Sequence, residues 1–281
     1  MKYIKALRVK EVGLMSGFFV IGAFWSINDL SFSSVLNLFT VWAVSFFTIL
    51  AVYAYNAAAG KSIDKSNKRL SSLEHFSKKT FNTLGSLFVL IAVFFALYLD
   101  IKIAFLAITI FAMWVSYAHP KFGLKQKVLW GTVLHFVAQI LHFNMCYMVF
   151  EEISLFSILL SIYFSFCFAI GHLNHEIIDY DSDKKAGIKN SATSLGIKFN
   201  YNLIIGLLMS CLLYTSFLYG KEIISLLEYL FFIIPPIIHL ILQISYRKNI
   251  KDNSLNIRHI YRIIYFLSFV IIILLRLSKL L

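Results

Sequence analysis

Nine apolar stretches, each near the length that crosses a bilayer, divide this chain of 281 residues. They run over about 12–28, 34–59, 81–99, 102–118, 128–150, 153–178, 201–219, 224–246 and 257–277. A hydrocarbon core of roughly 30 Å takes about 20 helical residues. Inside lipid every backbone polar group needs an internal partner, so only helices and closed barrels span it. Barrel strands alternate in hydropathy over about ten residues, whereas these runs are continuously apolar. The expected fold class is therefore all-α: a polytopic membrane protein of about nine transmembrane helices in one bundle, a single domain over 1–281. With 59% hydrophobic and 14% charged residues, the composition suits that class and no soluble domain of this length. Only 3 prolines are present to interrupt the helices.

The charged residues set the expected orientation. With the N-terminus in the cytoplasm, all but four of the 26 Lys and Arg fall on cytoplasmic segments. The exceptions are Lys102, Lys221, Arg276 and Lys279. That partition is a strong positive-inside signal and suits an odd number of spans, which leaves the C-terminus outside. The expected location is a plasma or inner membrane, with membrane lipid as a partner. The formal charge of +12 then reflects orientation and attraction to anionic lipid or a phosphorylated substrate, not nucleic acid. Cys146, Cys167 and Cys211 lie inside apolar runs, with no spacing of a metal knuckle or disulfide framework. No small-residue cleavage site follows the first run, which reads as a signal anchor.

The long polar connections, about 60–80 and 180–200, both lie on the cytoplasmic side, so a polar cavity is expected at that face. The second of them opens with Glu176-Ile-Ile-Asp179-Tyr-Asp181-Ser-Asp183 at the end of the sixth span. On a helix Asp179 and Asp183 are neighbours one turn apart, and Glu176 lies within reach of Asp179. Carboxylates gathered at a membrane helix end need a positive partner. Their oxygens suit Mg²⁺, which also takes substrate phosphates. Read alone, the cluster has the alternative of an acidic helix exit countered by Lys184 and Lys185.

At the end of the second span, Asn56, Gly60 and Asp64 step by four along one face, and Lys61, Lys65, Lys68 and Arg69 follow. Asn and Asp oxygens can ligate a metal, and Arg69 can hold phosphate oxygens. Alone, this stretch is better read as a glycine-capped helix and a solvated basic loop. At the end of the fourth span stand Tyr117 and Lys121, again four apart, with Lys125 beyond; an interfacial aromatic beside a positive-inside lysine is the commoner meaning.

The order and spacing of the three stretches resemble the UbiA superfamily of intramembrane prenyltransferases. That family has two Asp-rich motifs on the cytoplasmic ends of its second and sixth helices, with a Tyr-x-x-x-Lys pair between. Asp179 and Asp183, with Gly187 and Lys189 in register, are similar to the second motif. Tyr117 and Lys121 match the pair, and Asn56, Asp64 and Arg69 keep the frame of the first motif. Ala57 and Gly60 stand where that motif has aspartates.

The resemblance implies a Mg²⁺-dependent transfer of a prenyl group from a prenyl diphosphate to an aromatic or lipid acceptor. It implies catalytic roles for Asp179, Asp183, Asp64 and Asn56. It implies metal contact by Asn56, Asp64, Glu176, Asp179 and Asp183, and phosphate contact by Arg69, Tyr117, Lys121, Lys184 and Lys189. The departures at Ala57 and Gly60 keep two alternatives open: a terpene cyclase of the same superfamily, and a lipid-binding homologue without catalysis. His135, His142, Asn144, His172, Asn174 and His175 lie in or near spans. Each is a functional candidate or an interhelical hydrogen-bonding group.

Overall fold

The computed structural model describes residues 7–60, 77–119 and 123–280, and among them only helices and their connections occur. In chain order these are α1 (Val9–Phe19), α2 (Ile21–Ser26), α3 (Phe32–Gly60), α4 (Lys78–Leu99), α5 (Ile101–Ala118) and α6 (Trp130–Tyr147). They continue with α7 (Leu155–Ile178), α8 (Tyr180–Lys185), α9 (Ser191–Leu195), α10 (Ile197–Gly220), α11 (Leu226–Ser245) and α12 (Ile250–Leu277). Among the described residues eight helical stretches are long and apolar enough to cross a membrane. The expected first span is the pair α1–α2. The expected fifth span folds as α6, 18 residues long, but falls short of that apolarity. It carries His135, Gln139, His142 and Asn144 along its length.

Local chemistry sets the helix ends. Asp100 accepts a hydrogen bond from the Lys102 amide and so starts α5 one residue after α4 stops. Ser154 and Ser157 form a reciprocal box at the start of α7, and Ser225 and Glu228 do the same at α11. Ahead of α3, the side chain and amide of Ser31 and the hydroxyl of Ser34 bond to Asp29 and hold its carboxyl below its ordinary pKa.

The chain divides into two compact units. The first holds the described residues up to Lys125 together with Leu141–Ile153. Here α3 packs along α4 and α5, around a core that includes Val41, Val44, Ala96, Ala104, Ala107 and Met145. The alanines let the helices approach closely, as small residues do in membranes. Two glycines are required by such approaches. A Cβ on Gly22 would lie 2.2 Å from the Phe143 carbonyl oxygen, and one on Gly85 would lie 2.6 Å from the Tyr55 ring. His142 is consumed by this core: its Nε2 lies 3.1 Å from Ser45 Oγ, and its ring stacks on Phe19 at 3.9 Å.

The second unit holds Gln126–Ile140 and the chain from Ser154 onward. Here α10 packs on α7 and α11, and α12 on α11 and α7. Ile170, Leu173, Ile177, Ile204 and Leu208 form one part of its core. Tyr163, Phe164, Phe232 and Phe269 form an aromatic part, with ring centroids 4.3–6.5 Å apart. Pro235 and Pro236 lie inside α11. Pro236 has no N–H to give the Phe232 carbonyl, and the Tyr163 hydroxyl donates to that oxygen instead, at 2.7 Å. At the other end of α12, Arg276 meets the buried Glu228 at 2.7 Å.

Candidate active site

In the second unit the acidic end of α7 is built as a hydrogen-bonded scaffold. Asp179 sits between α7 and α8, and the Asp183 amide donates to its carbonyl at 2.9 Å, so the helical turn continues through it. Asp179 and Asp183 therefore stand one turn apart on the same face. Asp179 Oδ2 lies 3.5 Å from His175 Nδ1. Asp181, between the two on the helix, pairs with Lys251 of α12 at 2.7 Å. The third carboxylate of the run is thus neutralised from another helix rather than by Lys184 or Lys185. Lys184 is exposed; its Nζ lies 3.3 Å from the Tyr180 hydroxyl and 5.4 Å from the centre of that ring. Lys189 is exposed in the loop beyond.

That loop is closed by a glycine stop. Gly187 has φ +71°, a left-handed conformation that costs a Cβ-bearing residue about 1–2 kcal/mol. The Gly187 amide donates to the Lys184 carbonyl at 3.2 Å and the Ile188 amide to the Asp183 carbonyl at 2.9 Å. This is the paired bonding of a Schellman C-cap, and Ile188 is buried behind it. The chain then starts α9, where Asn190 accepts from the Thr193 amide at 2.9 Å. The same Asn190 donates through Nδ2 to Asp183 Oδ2 at 2.7 Å.

Glu176 faces this loop and is buried, 7% exposed. Its Oε2 receives the Ser191 hydroxyl, the Ala192 amide at 3.3 Å and Asn200 Nδ2 at 3.0 Å. Its Oε1 lies 3.2 Å from His172 Nε2. The His172 ring stacks on His135 at 3.9 Å, and His135 Nδ1 lies 2.7 Å from the Gly131 carbonyl oxygen. Asn174, two residues before Glu176, donates to the Ser254 carbonyl at 3.3 Å.

In the first unit the end of α3 is different. Asn56 is half-buried, and its Oδ1 is buried with no hydrogen-bond partner among the described residues. Tyr55 beside it bonds Ser86 on α4 at 2.8 Å, and Ala57 and Ala58 are buried. On α5, Tyr117 is half-buried with its ring edge-on to Trp114, 5.8 Å between centres. Asp64, Arg69 and Lys121 lie outside the described residues.

The structure thus brings Glu176, Asp179 and Asp183 into one stretch of one unit, and sets Asn56 and Tyr117 on two helices of the other. Sequence reasoning missed Asn190, Ser191, Asn200 and Lys251. Asn190 had a local signal, since Asn followed three residues on by Thr is a helix-start pattern. Among the described residues no three His, Cys, Asp or Glu side chains converge as a metal site.

A family profile described as the UbiA prenyltransferase family matches residues 16–272. Among curated proteins none matches. Solved structures of the same fold include a UbiA homologue from Archaeoglobus fulgidus bound to GPP and Mg²⁺, with a TM-score of 0.75 and 16% identity over 96% of this chain and 99% of that one. An apo UbiA homologue from Aeropyrum pernix K1 is similar with a TM-score of 0.75 and 17% identity over 94% and 98%. A digeranylgeranylglyceryl phosphate synthase is similar with a TM-score of 0.72 and 17% identity over 96% of each chain.

Proposed function

The chain belongs to the UbiA prenyltransferase family, and from that premise we propose that it is a Mg²⁺-dependent intramembrane prenyltransferase. Its substrates are a prenyl diphosphate and a hydrophobic acceptor, aromatic or lipid. It is an integral membrane protein, and in this reading its motif ends face the cytoplasm, as the partition of Lys and Arg favours.

The observation that carries the reading is the pair Asp179 and Asp183, one turn apart, with Asp181 drawn off to Lys251. Their donor set is all oxygen, and Mg²⁺ binds through one or two carboxylates, several waters and substrate phosphates. Two carboxylates one turn apart, with no cluster of three His, Cys, Asp or Glu around them among the described residues, fit a metal shared with a diphosphate better than a metal held by protein alone. The buried Oδ1 of Asn56, without a hydrogen-bond partner among the described residues, is a further donor of the right kind. Asp64 completes what remains of the first motif.

Asp179 and Asp183 would hold Mg²⁺, which would supply charge neutralisation for the departing diphosphate. The side chains do the rest. Asp179 and Asp183 orient the diphosphate at the helix ends, with Arg69, Tyr117, Lys121, Lys184 and Lys189 contacting its oxygens. The allylic C–O bond breaks, the electron pair leaves with the diphosphate, and the carbon bonds to the acceptor, which releases a proton. The apolar helices hold the prenyl tail away from water, and aromatic faces favour the cationic carbon.

The test is turnover of a prenyl diphosphate by purified protein in lipid nanodiscs with Mg²⁺, read by mass spectrometry of the products and of copurified lipids. Prenylated acceptor, lost in Asp179→Ala with Asp183→Ala, is expected. A second reading, a lipid-binding homologue without catalysis, is favoured by the packed methyl of Ala57 where the motif has an aspartate. Diphosphate binding that ignores Mg²⁺ and never leads to turnover would establish it. A cyclic hydrocarbon formed without acceptor would instead establish a terpene cyclase.

A further inference from the structure

We propose that Glu176 is not a metal ligand but a positioning residue, which sets Asp183 through helix α9. The inference rests on the prenyl diphosphate reading for its consequence, and on the geometry of one unit for its substance.

The path is continuous. Glu176 Oε2 takes the Ser191 hydroxyl and the Ala192 amide, the first two residues of α9, and Asn200 Nδ2 from the start of α10. A carboxylate at this point fixes both the place and the direction of α9. Asn190 is the cap of that same helix, through Oδ1, and the holder of Asp183, through Nδ2 at 2.7 Å. One amide plane thus links the start of α9 to an oxygen of Asp183. Moving α9 moves Asn190, and moving Asn190 turns Asp183.

Glu176 itself is committed elsewhere. Its second oxygen lies 3.2 Å from His172, whose ring is stacked on His135 of α6. A buried carboxylate with four protein partners would have to give some up to reach a cation, and each abandoned buried donor is expensive. Asp179 and Asp183 are half-buried, the first beside His175 and the second held by Asn190. Groups that orient metal ligands from behind govern metal affinity by about 10–100-fold without touching the ion.

The role predicts a pattern that a ligand cannot give. A glutamine keeps the geometry, its oxygen accepting from Ser191, Ala192 and Asn200 while its amide donates to His172. With Mn²⁺ as the probe and geranyl diphosphate present, electron paramagnetic resonance of protein in nanodiscs gives the metal Kd. Glu176→Gln is expected within about threefold of the native value, and Glu176→Ala weaker by about tenfold or more. Asn190→Ala should match Glu176→Ala, and the double variant should be no worse than either, because both break one path. If Glu176→Gln weakens Mn²⁺ as much as Asp183→Asn does, or the double variant is multiplicative, Glu176 is a ligand and the proposal is overturned.

A second readout needs neither metal nor turnover. Tryptic cleavage after Lys185 and Lys189, without Mn²⁺, should rise at least fivefold in Glu176→Ala and Asn190→Ala and stay native in Glu176→Gln. Unchanged cleavage in Glu176→Ala overturns the proposal. Native protein that binds no Mn²⁺ with geranyl diphosphate overturns the prenyltransferase reading instead, and cleavage then decides the positioning role alone.

Discussion

The ends of α3 and α7 should be equivalent halves of one chemistry, and they are built in opposite ways. At the end of α7 the carboxylates have assigned neighbours: Asp183 has Asn190, Glu176 has Ser191 and Asn200, and Asp181 has Lys251. A glycine C-cap and a capped short helix hold the loop. At the end of α3 stand Asn56, with a buried oxygen bonded to nothing described, and the small residues Ala57, Ala58 and Gly60. One end is a finished scaffold around carboxylates. Among the described residues the other presents the neutral Asn56, with Ala57 and Gly60 where the family motif has aspartates. On the proposed prenyltransferase reading, the difference assigns more of the metal binding to the α7 end.

That asymmetry is broken most directly by removing one donor from each end. Asp183→Ala is expected to lower kcat/KM on the order of 10³-fold, since it takes away several kcal/mol of leaving-group stabilisation. Asn56→Ala should cost about tenfold, one neutral ligand being worth roughly 1.4 kcal/mol. Steady-state rates at saturating Mg²⁺ measure both. Equal losses would show that the α3 end still carries half the work.

The comparison is sharpened in the other direction by restoring charge. Gly60→Asp returns an aspartate to the family's position, one turn beyond Asn56. The Mg²⁺ concentration for half-maximal rate should fall by about tenfold, because a second carboxylate adds more than a kcal/mol of binding. An unchanged requirement would mean that the α3 end no longer approaches the metal.

Much of the fold was legible because apolar runs and caps coincide. The expected spans 34–59, 102–118 and 153–178 correspond to Phe32–Gly60, Ile101–Ala118 and Leu155–Ile178. Where hydropathy and helix part company, the reading failed. Helix α12 begins at Ile250 rather than near 257, because Lys251, Asp252 and Asn253 are helical yet polar, and hydropathy records lipid contact rather than helix. The break between α1 and α2 falls at Val20, between Gly17 and Gly22 and at neither of them. In the site, Asp179 and Asp183 were legible because their partnership is local, one turn of helix. The bonds of Glu176 to Ser191 and Asn200 join positions 15 and 24 apart, and Lys251 lies 70 residues from Asp181. Pairing over that distance depends on helix packing, and a single sequence carries no trace of it.

The smallest expected effect separates scaffold from donor by stability alone. Asn200→Ala removes a bond to a buried carboxylate that keeps its other partners, at 3.0 Å from Glu176. Hydrogen bonds between membrane helices are worth about 0.5–2 kcal/mol, and one to a charged group falls in the upper half of that range. Asn56→Ala removes an acceptor with no described partner. Deleting a buried, unsatisfied oxygen relieves a desolvation penalty and offsets the lost contacts of the side chain; Asn200 Oδ1 is such an oxygen too, but there the lost bond to Glu176 outweighs the relief. In thermal unfolding of detergent-solubilised protein without Mg²⁺, Asn200→Ala should therefore lower Tm by a few degrees, about 2–4 °C for a chain of this size, and Asn56→Ala should leave it unchanged. With Mg²⁺ and prenyl diphosphate added, the order of the two reverses in the ligand-induced gain. Asn56→Ala then loses part of the rise in Tm, because binding stabilises in proportion to the logarithm of affinity. Equal losses of Tm without ligand would mean that Asn56 belongs to the fold after all, and that the α3 end is a finished scaffold too.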